Sequence, residues 1–137
     1  MATITEDFVS FETAKLLKEK GFNEECFALY NPDGVLIQSG IRLNNIQVGR
    51  VKGSYSAPTL QMAMKWLRED KKILILIFCH IDKGYWFCIQ HFIESPYKFA
   101  TSESIHRKEE ILGKIQYYDT YEEACEAAIK YCPKNLI

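Results

Sequence analysis

The sequence predicts an α+β domain in which an antiparallel sheet packs with about three helices. Two observations carry that reading: amphipathic segments with recognisable start signals at 11–20, 60–69 and 121–131, and apolar strand pairs closed by tight turns. A third is their order: helix, two strands, an irregular stretch, helix, two strands, a third strand and helix. Paired strands between helices favour antiparallel pairing, whereas a doubly wound fold would alternate strand with helix. At 137 residues the chain reads as one domain, 1–137, long enough for a core without staples.

The first helix is capped by Ser10, runs through "FETAKLLKEK" and stops at Gly21. Ala14 and Leu17 share one side, with Phe11 and Leu16 at its margins, so the helix is expected over a sheet edge. "CFALYNPDGVLIQ" is a hairpin: Pro32 suits the second turn position, Gly34 the left-handed one, and Asn31 can bond its own turn. Its strands are 26–30 and 35–38. The stretch 41–52 is either an irregular hairpin around Asn44-Asn45 or a loop.

The second helix opens near Pro58, which a first turn tolerates. Leu60, Ala63, Met64 and Leu67 fall within a narrow arc, Met62 and Trp66 form a second apolar flank, and Gln61, Lys65, Arg68 and Glu69 fill the wet side. "ILILIFC" and "IDKGYWFCI" then give two long strands, 73–81 and 85–93, around a turn at Lys83-Gly84. Their continuous apolar character predicts cover on both faces. A polar excursion, 94–110, leads to a third strand at 111–118. The last helix has a capping box, Thr120 with Glu123, acids first and Lys130 late, and is expected to end at Pro133. The predicted core is Leu17, Phe27, Leu29, Leu60, Met64, Leu67, Ile75, Ile77, Phe87, Ile89 and Ala128.

Charge divides unevenly. The net formal charge is -1, from 17 basic and 18 acidic residues, so nothing global draws the chain to nucleic acid or anionic lipid. Yet 34–68 carries Arg42, Arg50, Lys52, Lys65 and Arg68 without one acid. With Tyr55 as a stacking ring, these are the candidate anion-binding residues, and nucleic acid is the partner they would serve. So few phosphate contacts would bind weakly and with strong salt dependence, so a solvated connection is the preferred reading. Neither "GVLIQSG" nor "GRVKGS" has the register of a P-loop, and no cofactor is implied.

Five cysteines and no export signal at "MATITEDFVSFE" predict thiols in a reducing, cytoplasmic setting. The longest apolar run, 73–79, falls far short of a membrane span. Three histidines invite a metal, but a two-residue turn would set His80 and His91 on one face roughly 13 Å apart. No Cys-x-x-Cys or His-Glu-x-x-His is present, so no metal is expected; the same turn would make Cys79 and Cys88 cross-strand neighbours. Cys88 and His91 point to opposite faces, and Asp82 with His80 lacks an obvious nucleophile. An enzyme would need residues distant in sequence. Aromatic content of 13% points instead to a protein interface, with Met62 and Trp66 as its candidate residues and a protein partner or a second copy as its occupant, the alternative being that Trp66 only broadens the seam of its helix against the sheet.

The stretches "ITEDFVSFETAKLLKEKGF", "YSAPTLQMAMKWLRE" and "TYEEACEAAIKYCPKNLI", nearly two fifths of the chain, resemble a group of small uncharacterised proteins from Bacteroides and related gut bacteria and their phages or prophages. The resemblance implies no activity, cofactor or catalytic residue. A mobile-element setting implies a small accessory protein that binds a host or phage component. Pro133 stands where that group has a leucine after "KYC", which implies a shorter last helix.

Overall fold

A computed structural model describes residues 5–91 and 116–137. Its order is α1 (Phe11–Glu19), β1 (Cys26–Tyr30), β2 (Leu36–Leu43), α2 (Asn45–Val48), β3 (Tyr55–Ser56), α3 (Leu60–Lys71), β4 (Ile73–His80), β5 (Gly84–His91) and α4 (Tyr121–Asn135). The strands form two antiparallel sheets, β2-β1-β3 and β4-β5. The fold is α+β. Helix α4 lies at its centre, touching α1, α3 and both strands of the β4-β5 hairpin, while α1 packs on β3. The excursion 94–110 and most of the expected third strand lie outside the described residues. Tyr118, at the end of that strand, exchanges two backbone hydrogen bonds of 2.8 Å with Tyr85.

Local chemistry sets the elements. Ser10 accepts the Thr13 N–H at the start of α1, Thr59 that of Met62 before α3, and Thr120 that of Glu123 before α4. These free N–H groups have no helical partner, so a side-chain acceptor fixes each start. Asn31 accepts from Asp33 and Val35, and Gly34 takes φ +79°, closing the β1-β2 turn as expected.

Several expectations need correction. The stretch 41–52 is neither hairpin nor loop: β2 runs on to Leu43, and Asn44 with Gln47 makes a reciprocal capping box that starts α2. Asn45 does not turn the chain. It is buried, donating to the Phe22 carbonyl at 2.6 Å and accepting the Ser56 N–H at 2.8 Å.

The β4-β5 turn uses three residues, Ile81, Asp82 and Lys83, so His80 faces Gly84 and Cys79 faces Tyr85. Cys79 and Cys88 therefore lie on opposite faces, as do backbone positions 80 and 91. Only one face of this hairpin is well buried, through Ile73, Ile75, Phe87 and Ile89; Phe78 is exposed on the other, stacked on Trp86. Pro133 does not end α4. It sits fully buried in the last turn, where its missing N–H costs one helical bond, and the Leu136 N–H still closes on the Cys132 carbonyl.

The β1 parity is reversed from the expected core. Cys26, Ala28 and Tyr30 face inward, Leu29 is half-buried, and Phe27 is 52% exposed with the Arg42 guanidinium 5.0 Å from its ring. Alternation along the strand, and not side-chain size, decides which residues face inward: Cys26 and Ala28 are buried while the larger Phe27 is not. Met64 and Ile77 are half-buried at the margin of the core.

Candidate functional site

Trp66 is not an exposed anchor. It is 7% exposed, set edge-on against Phe22 at 5.3 Å between ring centroids. Phe22 follows the Gly21 that stops α1, and from there it covers the flank of α3 left open by the helical arc of Leu60, Met64 and Leu67. Met62 stays 37% exposed, with the Cys26 Sγ 3.8 Å from its sulfur. The expected Met62–Trp66 interface is thus reduced to one side chain.

The basic residues do not converge either. Lys65 stands among Glu24, Glu69 and Asp70, and Arg68 pairs with Glu69 at 3.6 Å. Tyr55 is half-buried against Phe11, with the Lys18 ammonium over its ring, so that ring is already in use. Arg42, Arg50 and Lys52 are exposed, and among the described residues they form no ion pair. Arg42 is close to Phe27 on the sheet; Arg50 and Lys52 flank Val51 in the turn after α2.

Reactive chemistry is weakly supported. Burial pushes the Cys26 and Cys132 thiols up to about 12 and raises that of Cys125, which keeps all three protonated and poorly nucleophilic near neutrality. At the hairpin tip, His80 Nδ1 accepts the Asp82 N–H and its ring meets the edge of Tyr117. That is turn chemistry. Among the described residues no group of three or more His, Cys, Asp or Glu side chains is placed to hold a metal ion, and no helix is long and apolar enough to cross a membrane.

Two surfaces stand out instead. The first is β2. Among the described residues it is an edge strand with one row of backbone groups not paired to another strand, and most of its side chains are exposed on both faces. Ile37 is 43% and Ile41 64% exposed, beside Phe27. Between the pairs Ala28↔Gln38 and Cys26↔Leu43, β2 spends four residues, Ser39 to Arg42, against one of β1, so this half bulges out of the ladder.

The second is an open groove of about 1200 Å³ between the N-terminal segment, β2 and the start of α4. Phe8, Phe11, Tyr30, Leu36 and Tyr118 line it, together with six carboxylates, Glu6, Asp7, Glu12, Glu122, Glu123 and Glu126, and with Lys130. Glu126 is committed to structure: it accepts from the Ser10 backbone N–H at 3.2 Å, the Ser10 hydroxyl and the Thr13 hydroxyl at 2.6 Å. A carboxylate at the positive end of α1 ties that helix to α4. Glu12 is held by Lys130 at 2.7 Å, which draws its carboxyl below the usual range. The other four carboxylates form no ion pair among the described residues.

No spacing in the sequence announces this groove, because Glu126 lies 116 residues from Ser10. Comparison with protein families, curated proteins and solved structures finds no match.

Proposed function

We propose that the protein is a small non-enzymatic protein-binding module whose docking surface is the exposed side of β1 and β2, in place of the Met62–Trp66 flank. The observation that carries this reading is the edge strand itself: Ile37 and Ile41 are exposed on it and Phe27 on its neighbour, with a backbone row that no other strand pairs among the described residues. Burial of such side chains releases water from apolar surface, and a free edge offers main-chain hydrogen bonds to an added strand. A role as an accessory protein of a mobile element, binding a host or phage component, accords with this reading.

Site-specific photo-crosslinking tests it. A crosslinker at residue 41 should give a discrete protein adduct, which Ile37→Lys abolishes while the fold is kept. The same probe at exposed Lys15 is the control. Equal labelling from both positions, or none from 41, removes the proposal.

A second reading is weak anion or nucleic-acid binding by Arg42, Arg50 and Lys52, favoured by their exposure without ion pairs among the described residues. Fluorescence anisotropy with labelled DNA and RNA at two salt concentrations decides it. Micromolar binding at physiological salt that is lost in R50A/K52A supports it; binding untouched by those changes does not.

A further inference from the structure

We propose that the aromatic and acidic groove between the N-terminal segment, β2 and α4 seats an arginine-bearing segment of a partner protein. Charge complementarity names the occupant, and the rings on the groove wall select its side-chain type. The inference goes beyond the β1-β2 docking surface and does not depend on it. Along β2, Leu36 and Gln38 line the groove, while Ile37 between them points to the other face of the sheet.

The two acidic walls lie beside the same helix start. The Asp7 carbonyl accepts the Leu60 N–H at 2.9 Å, and Phe8 pairs with Thr59. Tyr121, which opens α4, places its hydroxyl 3.5 Å from the Gln61 amide. The N-terminal segment and the first turn of α4 therefore both abut the beginning of α3. Each brings two carboxylates, Glu6 and Asp7 from one, Glu122 and Glu123 from the other. All four are exposed, and among the described residues none is in an ion pair. Lys130, on the same groove, is held by Glu12. Helix starts offset part of the acidic charge, as at the first turn of α4. What remains is an excess of negative charge around an apolar wall, and a cation relieves it.

Arginine suits this wall better than lysine or a free amine. Phe8, Phe11 and Tyr118 line the groove half-buried. A guanidinium can lie flat on such a ring and still donate to a carboxylate, whereas an ammonium is a compact, strongly hydrated charge. The groove is open and about 1200 Å³ in volume, above the roughly 300–1,000 Å³ of small-molecule sites. Its size fits a chain segment that presents several side chains. Single charge pairs at such a rim are weak and screened, so apolar contact must supply part of the affinity.

Fluorescence anisotropy with the full chain tests this. The probe is a fluorescein-labelled peptide that alternates arginine with leucine, beside the same peptide with citrulline, which keeps the shape and removes the charge. The arginine peptide should bind more weakly as salt rises, and at least about tenfold tighter than the citrulline peptide. Glu6→Gln with Asp7→Asn should weaken it at least about threefold, as should Glu122→Gln with Glu123→Gln. The second pair keeps the Thr120 cap, which uses the Glu123 backbone N–H. Leu36→Ser, which removes an apolar wall residue, should weaken binding too. Glu24→Gln with Glu25→Gln, equally exposed but outside the groove, should change nothing, and neither should Ile37→Ser. Circular dichroism and thermal unfolding confirm that each variant is folded.

Absence of arginine-peptide binding at low salt overturns the proposal. So does binding that the Glu24 and Glu25 changes weaken as much as the groove changes do, since that is general attraction to acids. Indifference to the folded carboxylate variants, or to Leu36→Ser, places the peptide elsewhere and overturns it as well. Displacement by spermidine at equal charge concentration overturns it in favour of a small polyamine. If the peptide binds as expected while residue 41 gives no specific crosslink, the groove stands and the β1-β2 surface falls; the reverse result separates them the other way.

Discussion

Asn45 shows how much one side chain can decide. Its amide donates to the Phe22 carbonyl and accepts the Ser56 N–H, joining the chain after α1 to β3 inside the protein. Truncation would leave two buried backbone groups without these partners, and each costs about 1–3 kcal/mol. Asn45→Ala is therefore expected to lower stability by about 2–4 kcal/mol in denaturant unfolding. Asn44→Ala, which removes only an exposed cap, should cost about 1 kcal/mol. A smaller loss at 45 than at 44 would contradict the assignment. The Asn-Asn pair is visible in the sequence as a conformational signal, but a turn and a cap use the same residues. Which of the two forms depends on the distant Phe22 and Ser56.

At the scale of elements, caps and turns followed local rules, and registers did not. Gly84 illustrates the difference. It has φ +103°, and a Cβ there would lie 2.4 Å from the Tyr118 carbonyl oxygen. Glycine is needed both for the backbone conformation and for the approach of the chain at Tyr118. Gly84→Ala should therefore destabilise by at least about 2 kcal/mol and speed hydrogen exchange at the Tyr85 and Tyr118 amides. Gly40 is the control: a Cβ there would meet nothing within 4 Å and its φ is not positive, so Gly40→Ala should be near neutral. The sequence pattern puts Gly84 in a two-residue turn with Lys83, whereas the turn is Ile81, Asp82 and Lys83, and Gly84 opens β5 opposite His80. The sum of cross-strand contacts chose three residues over two, and that choice separated Cys79 from Cys88.

Across the whole molecule, the buried thiols predict a response to alkaline conditions. Cys26 and Cys132 titrate near 9 when unfolded and are pushed up to about 12 by burial. The unfolded chain thus loses these protons first. Stability from both is intact below about pH 9 and declines from there toward 12, on the order of 1 kcal/mol per pH unit for Cys132, with Cys26 adding in the same direction. Denaturant midpoints measured from pH 7.5 to 11 should fall on the alkaline side, and Cys132→Ala should make that fall shallower. An identical alkaline slope in the variant would show that Cys132 does not titrate as its burial implies. The molecule's charge layout belongs to this scale too, since the acid-free stretch is legible in the sequence while the acidic groove is assembled from the N-terminal segment and α4.

By itself the sequence determined the α+β class, the three long helices, the Ser10 and Thr120 caps, the β1-β2 turn and the antiparallel β4-β5 hairpin. All of these rest on interactions between residues a few positions apart, or on periodicity within one segment. Tertiary structure alone decided the inward parity of β1, the burial of Trp66 under Phe22, the joining of α1 to α4 by Glu126 and the groove above that joint. The physical reason is the same for each. Alternation and helical arcs say which side chains share a face, but only the packing of distant elements says which face is covered, and by what.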